Sequence, residues 1–318
     1  MKIVTFLTLS LFIITNEAKA KTTTPSAFFP KNLNSSHMTF KTEGQVTKSD
    51  YLKMQADFRK IYSPEIQEHK IVLDFPNLWE DLEINAYAHR SKGEKIFSIE
   101  IMGGIARHPL MTKDALALVI CHELGHHFGG APKKSPIEII KPERPEKNDR
   151  LKLFGIGKPK KPKTIPNWAS TEGQADYYAS SKYMKRYLAF SEENGRTYDL
   201  SDKNQDDIVL KKCLEIYKNE KEISYCFYTA YAGLQTAKIF QSLKSNVPNP
   251  KFETPAKEIA KSTFEGYPSV QCRLDSFFQG SLCDVDPLIS PSDKDAKTGY
   301  CVSSEKPVGA RPKCWFKE

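Results

Sequence analysis

Residues 115–130 constrain the fold of this chain more than any other stretch. They read Ala-Leu-Ala-Leu-Val-Ile-Cys-His-Glu-Leu-Gly-His-His-Phe-Gly-Gly, so the first half is apolar on almost every side of a helix. Such a helix is typical of a protein core, since a helix on the surface has a polar face. Thr112 is suited to cap its N-terminus, and the closing glycine pair predicts where it ends. The sequence therefore predicts one rigidly held, buried helix.

The second half of this helix carries His122, Glu123 and His126 in the pattern His-Glu-x-x-His. An α-helix has about 3.6 residues per turn, so two histidines four apart stand one above the other and can converge on one ion. This is the HExxH signature of a zinc site. Glu123 projects to one side, where it can reach an activated water without binding the metal itself. A base beside such a water is the minimum needed for hydrolysis, so the pattern predicts His122 and His126 as zinc ligands and Glu123 as the general base.

A second helical pattern, over residues 168–190 with Ser170 as its predicted N-cap, carries Glu172 and Asp176 on one face. The neighbouring Trp, Ala, Gly and Tyr residues favour a helix that is packed on most sides, and buried carboxylates need partners. A metal ion and a histidine would supply them. We therefore expect Glu172 to be the third ligand of one Zn²⁺ per chain, and Asp176 to accept a hydrogen bond from a ligand histidine.

The first 20 residues have the pattern of a secretory signal peptide, with a lysine near the start, an apolar run and small residues at Ala18 and Ala20. The apolar run is shorter than the roughly 20 residues that span a bilayer. We expect cleavage near Ala20 and an exported protein, periplasmic or secreted, with no transmembrane segment in the mature chain. Residues 21–46 are polar and are predicted to form a loose leader.

Between the leader and the buried helix, the sequence predicts one helix and then a small sheet. Residues 49–62 have apolar positions at helical spacing. The three segments that follow are short, rich in β-branched and aromatic residues and separated by turn formers, which is typical of strands. They cover residues 69–75, 82–89 and 95–102.

The last of these predicted strands leads through Gly103 into the HExxH helix, so it places a strand edge beside the predicted metal site. An exposed edge can pair with an extended peptide through main-chain hydrogen bonds. We therefore expect Ile99, Ile101 and Gly103 to bind substrate.

Residues 131–166 differ from the rest of the chain, with seven Pro, nine Lys and few apolar residues. This composition predicts an exposed basic loop that cannot build a core. Two interpretations remain open. The loop is either a solvated insertion, or a lid or docking surface that contacts something anionic, since long loops are often functional.

Further helical patterns cover residues 203–218, 222–244 and 254–264, and a polar C-terminal tail covers residues 289–318. Six of the seven cysteines lie between residues 213 and 314, in the C-terminal third of the chain. In an exported chain they predict disulfides, and the simplest pairing is local: Cys213–Cys226, Cys272–Cys283 and Cys301–Cys314. The seventh, Cys121, lies in the buried helix and is expected to act as a small hydrophobe.

The chain resembles the M48 family of zinc metallopeptidases over roughly residues 80–280. The features that carry the resemblance occur in the family's order, and they are Asn85-Ala-Tyr-Ala88, the strand ending at Gly103-Gly104, the HExxH motif, Glu172-x-x-Ala-Asp176, and Tyr267-Pro268 with Arg273. The resemblance implies a zincin-like α+β fold, mostly helical with a small sheet beside the HExxH helix, in a catalytic domain over residues 47–288. It also implies the same ligands, base and histidine partner that the spacing predicts.

The chain departs from this family at one motif residue, because Tyr267 stands where the family usually has a histidine before proline. A phenol can donate a hydrogen bond to a developing oxyanion, so Tyr267 is a candidate catalytic donor. The alternative is that Tyr267 only packs against an aromatic helix. His127, Tyr177 and Tyr178 are rival donors.

These features together predict an exported zinc endopeptidase with a polypeptide substrate and no nucleic-acid partner. Three other functions remain open: a zinc-dependent amidase that acts on cell-wall peptides, a proteolytically silent chaperone-like protein that binds metal, and a protein with a purely structural zinc site. The carboxylate ligand argues against the last, because structural zinc sites are usually closed and rich in cysteine.

Overall fold

The computed structural model describes residues 26–30, 40, 42, 44–90, 95–138, 164–244 and 246–318. In these residues the chain is an α+β protein with a small mixed sheet, as the sequence predicts, and helix is its main type of secondary structure. The helices are α1 Lys48–Ile61, α2 Ser63–His69, α3 Gly103–Ala106, α4 Lys113–Phe128, α5 Glu172–Tyr178, α6 Met184–Glu193, α7 Ile208–Ile216, α8 Glu220–Ser242 and α9 Val270–Leu282, with a π-helical segment, Ala179–Tyr183, between α5 and α6. The strands are β1 Ser26–Ala27, β2 Val72–Asp74, β3 Ala86–Arg90, β4 Ile96–Ile101, β5 Ile137–Glu138 and β6 Thr164–Ile165.

The helix predicted around the HExxH motif is α4, and it lies in the core. Thr112 caps it by accepting a hydrogen bond at Oγ1 from the Ala115 amide (3.1 Å), and it ends just before the glycine pair. Every residue from Ala115 to His127 is buried, because α5, α8, β3 and β4 all pack against this helix. None of the described helices is both long and apolar enough to cross a membrane.

Helices α4 and α5 approach each other closely at the HExxH motif. A Cβ atom at Gly125 would lie 2.9 Å from the Cα of Ala175, so this approach requires glycine. The approach brings the carboxylates of α5 to the histidines of α4. The predicted N-cap of α5 is wrong by one residue: Thr171 holds that position, because the Ser170 hydroxyl donates to the Gly130 carbonyl instead.

The four-stranded sheet has the order β1-β3-β4-β2. The three predicted strands are confirmed as β2, β3 and β4, but the prediction that the last of them offers an edge is wrong. β4 is internal, antiparallel to β3 and parallel to β2. Ile99 and Ile101 are fully buried in it, and Gly103 is buried in α3 with its amide bonded to the Leu78 carbonyl (2.9 Å).

The leader is not loose at residues 26–29, so the prediction is wrong for this segment. Ser26 and Ala27 form β1, which pairs antiparallel with β3. Phe28 and Phe29 are buried and both rings contact Phe240 of α8. Two adjacent aromatic residues inside a polar stretch give no periodic signal, which is why the pattern missed them. The predicted signal peptide lies outside the described residues.

The C-terminal tail folds back over α9 and becomes part of the core. Its disulfides are Cys272–Cys314 and Cys283–Cys301, so two of the predicted local pairs are wrong, whereas Cys213–Cys226 is confirmed. Trp315 is fully buried against Gly173 of α5. Cys121 carries a free, buried thiol, as expected, and burial raises its pKa.

The predicted helices at 203–218 and 222–244 are confirmed as α7 and α8, but residues 254–264 are described and are not helical. Their main chain bonds to the tail instead, from the Ala260 amide to the Lys313 carbonyl and from the Phe264 amide to the Trp315 carbonyl, both at 2.8 Å. The helix α9 was not predicted.

The basic loop is described only at its base, where β5 and β6 pair, and residues 139–163 lie outside the described residues.

Candidate metal centre

Three buried side chains from α4 and α5 converge, and they are the three predicted ligands. The Nε2 atoms of His122 and His126 are 3.1 Å apart. Glu172 Oε2 lies 3.4 Å from the first of them and 3.7 Å from the second. Within the described part of the chain, this group could hold a metal ion.

Hydrogen bonds at Nδ1 fix how the two histidines present their other nitrogen. His122 Nδ1 lies 2.7 Å from Asp176 Oδ1, and His126 Nδ1 lies 2.8 Å from the Ser170 carbonyl oxygen. Both partners are acceptors, so each Nδ1 carries the hydrogen and donates it. The two Nε2 atoms then face each other as acceptors, and a cation between them would remove the repulsion of their lone pairs.

A metal ion placed there would bind both nitrogens in their deprotonated form. Burial lowers the pKa of His122, but the charge and hydrogen bond of Asp176 outweigh burial and raise it to about 9. Burial keeps the pKa of His126 well below its usual value. The donor set therefore fits a metal ion, on the common pattern in which each ligand histidine gives its other N–H to a carboxylate or carbonyl.

Asp176 belongs to a fully paired, buried network. Its Oδ1 accepts from His122 Nδ1 and from Arg273 Nη2, and its Oδ2 accepts from Arg273 Nε, each at 2.7 Å. A bidentate arginine–carboxylate pair of this kind is strong and fixes orientation. The structure thus places Asp176 beside His122, as the sequence predicts, and adds Arg273 from the unpredicted helix α9.

Glu123 is as deeply buried as Asp176, but no described residue donates a hydrogen bond to either of its oxygens. The same holds, among the described residues, for Glu172 Oε2, the oxygen that faces the histidines. Buried polar atoms are rarely left unpaired, because losing water without a replacement bond is costly. Burial raises the pKa of Glu123 to about 8, although His122 opposes this rise. These unpaired oxygens indicate where an ion, water or substrate group belongs.

Two residues that the sequence analysis missed contact the other oxygen of Glu172. Lys134 Nζ lies 2.7 Å from Glu172 Oε1, and Ser26 Oγ lies 3.1 Å from it. Ser26 Oγ is also 2.9 Å from His126 Nε2. Burial would raise the pKa of Glu172, but Lys134 and the histidines hold it well below its usual value. No local pattern could have found these residues, since one is a serine in a polar leader and the other a lysine in a lysine-rich loop.

Tyr267 donates a hydrogen bond from its hydroxyl to the Ala27 carbonyl oxygen (2.7 Å). Burial raises the pKa of Tyr267, and the charges of Glu172 and Glu123 raise it further, so the hydroxyl keeps its proton.

The three rival donors point elsewhere. His127 is stacked between the rings of Phe97 and Trp168. The Tyr177 hydroxyl donates to the Gly309 carbonyl, and the Tyr178 hydroxyl bonds to the hydroxyl of Tyr62.

Comparison with known proteins finds no relative, since no protein-family model, curated protein or solved structure matches this chain.

Proposed function

We propose that this protein is an exported, zinc-dependent endopeptidase. The observation that carries the proposal is Glu123, a fully buried carboxylate that receives no hydrogen bond from the described residues and lies beside a cluster that could hold a metal ion. A structural metal site has no use for an additional unpaired carboxylate. A hydrolytic site can use one as its general base.

His122, His126 and Glu172 would hold the ion. Two imidazoles and a carboxylate form a ligand set typical of catalytic zinc, in which three protein ligands leave one position open. Zinc supplies Lewis acidity at such a site and makes water a usable nucleophile near neutral pH. Asp176 and the Ser170 carbonyl hold the two imidazole rings with Nε2 directed into the cluster.

The remaining steps belong to the chain's own residues. A carboxylate oxygen of Glu123 accepts the proton of the attacking water and passes it to the nitrogen of the leaving amine. The hydroxyl of Tyr267 donates to the oxygen of the scissile carbonyl, as it now donates to the Ala27 carbonyl. Arg273 holds Asp176 oriented toward His122 through two hydrogen bonds.

Two further observations support the proposal. The order of the motifs along the chain resembles their order in the M48 family. We also propose that the HExxH helix and the sheet form a zincin-like arrangement. The three disulfides support export, since disulfides persist mainly in oxidising compartments.

The test is hydrolysis of unfolded casein and of purified peptidoglycan by the protein with its N-terminal strand released, before chelation, after chelation and after zinc is restored. We expect cleavage of casein that chelation abolishes and about one equivalent of zinc restores. Cleavage of peptidoglycan peptides alone would instead identify a cell-wall amidase. If the zinc-loaded protein turns over neither substrate, even after the N-terminal strand is released as described below, the proposal is wrong and a silent chaperone-like protein is favoured.

A further inference from the structure

The candidate site is closed to a polypeptide. His122, Glu123, His126 and Glu172 are each 0% exposed, so a substrate cannot reach Glu123 until something that covers it moves. Helices α4 and α5 cannot move away without dismantling the cluster itself. β1 is different, because it has only two paired residues and lies at the edge of the sheet. Short elements held by few contacts open at the lowest free energy.

The main chain of the segment Ser26–Phe29 is bound in the way that a protease binds a peptide. The Ala27 carbonyl accepts from Tyr267 (2.7 Å) and the Phe28 carbonyl accepts from Arg273 Nη1 (3.1 Å). The Phe28 amide donates to the Ala86 carbonyl of β3 (2.9 Å). The Phe29 amide donates to Asn85 Oδ1 (2.9 Å). These contacts recognise backbone groups, so they are open to any extended peptide that adds itself to β3.

The side chains of the segment reach the candidate metal ligands. The Phe28 ring packs edge-on against the His122 ring, with ring centroids 4.8 Å apart. Ser26 Oγ contacts His126 Nε2 and Glu172 Oε1, and Lys134 Nζ donates to Ser26 Oγ (2.7 Å). The serine hydroxyl therefore competes with any other group that approaches two of the three ligands, and Lys134 holds it there.

We propose that Ser26–Phe29 is a built-in occupant of the peptide-binding groove, which keeps the protein latent until the segment is displaced or removed. The proposal rests on the proposed peptidase function. It also names a substrate class, because a substrate must replace the segment. The groove takes small residues where Ser26 and Ala27 lie, and aromatic residues where Phe28 and Phe29 are buried against Phe240.

The test uses the full exported chain with residues 32–37 replaced by the recognition sequence of a site-specific protease and a fluorophore on the N-terminal amine. The chain folds with its strand in place and is then cut, so folding does not depend on a deletion. Excess unlabelled peptide with the sequence of residues 21–30 is added, and fluorescence anisotropy follows release of the labelled strand. Uncut protein is the control.

We expect the labelled strand to exchange out of the cut protein. In separate samples without added peptide, a chelator should extract zinc on the order of 10-fold faster or more from cut protein than from uncut protein, because the covering element opens freely. Without added peptide, casein hydrolysis should be higher for cut protein than for uncut protein, and it should fall again when excess peptide is added. A matched peptide with Phe28→Ala should compete on the order of 10²-fold less well, because a buried aromatic anchor is lost.

Three results would count against these ideas, and they are distinguishable. A labelled strand that remains bound in excess peptide would show that β1 is a permanent part of the fold. Release without faster zinc extraction would show that the segment does not cover the site. Release with faster zinc extraction but without hydrolysis would overturn the proposed peptidase function and leave the covering role standing.

Discussion

Asp176 and Glu123 are both fully buried carboxylates close to His122, but they are bonded in opposite ways. Asp176 accepts three hydrogen bonds, one from the histidine and two from Arg273. Glu123 accepts none from the described residues. The first arrangement satisfies a buried carboxylate with hydrogen bonds, and the second leaves its oxygens unpaired. This difference supports the two roles that we propose, in which Asp176 supports the site and Glu123 is available to react.

The largest expected effect concerns stability. Asp176→Ala should lower the free energy of unfolding by about 3–5 kcal/mol, because it leaves the Arg273 guanidinium buried without its anion. Glu123→Gln should leave stability unchanged or raise it, because neither oxygen of Glu123 has a hydrogen bond from the described residues to lose. Urea denaturation of both variants in the presence of chelator makes the comparison. Equal losses in the two variants would remove the distinction between them.

The next effect concerns Tyr267. Tyr267→Phe keeps the ring and removes the hydroxyl, and loss of one donor to a developing oxyanion costs about 10²–10³ in turnover. The matched control is Tyr177→Phe, whose hydroxyl bonds to the Gly309 carbonyl away from the cluster, and its turnover should be normal. Casein assays on zinc-loaded protein with the strand released provide the measurement. Normal turnover of Tyr267→Phe at unchanged zinc content and stability would leave Tyr267 a packing role only.

A smaller effect separates the ligand from its support. Glu172→Ala should lose zinc altogether, whereas Asp176→Ala should keep the site and bind zinc about 10–100-fold more weakly, since it only loosens the His122 ring. Competition with a zinc-binding dye gives both affinities. If Asp176→Ala releases zinc completely and Glu172→Ala retains it, the two roles are exchanged.

The sequence was sufficient for the part of the site that local geometry determines. Helical spacing alone places His122 beside His126 and Glu172 beside Asp176, and the apolar context predicts burial. The structure brings all four together as expected. The glycine in the motif, Gly125, allows the two helices to meet.

The rest of the site depends on contacts between distant parts of the chain, for which a single sequence carries little signal. Ser26 reaches Glu172 from 146 positions away, and Arg273 reaches Asp176 from 97 positions away on a helix that the pattern did not predict. The two wrong disulfides have the same origin, because the return of the tail over α9 sets which cysteines meet. The prediction that β4 offers an exposed edge to substrate was wrong, because β2 pairs with the side of β4 that does not face β3. The local sequence pattern gave no indication of this pairing.

We propose that Glu123 is a reactive base and not a ligand, and the zinc content and casein turnover of Glu123→Gln beside the wild type test this assignment. Both proteins are prepared with the strand released, and zinc is counted by elemental analysis. We expect about one zinc per chain in both and no detectable hydrolysis by the variant, because the amide cannot accept the proton of the attacking water. Loss of zinc from the variant, or hydrolysis at the wild-type rate, would contradict this account.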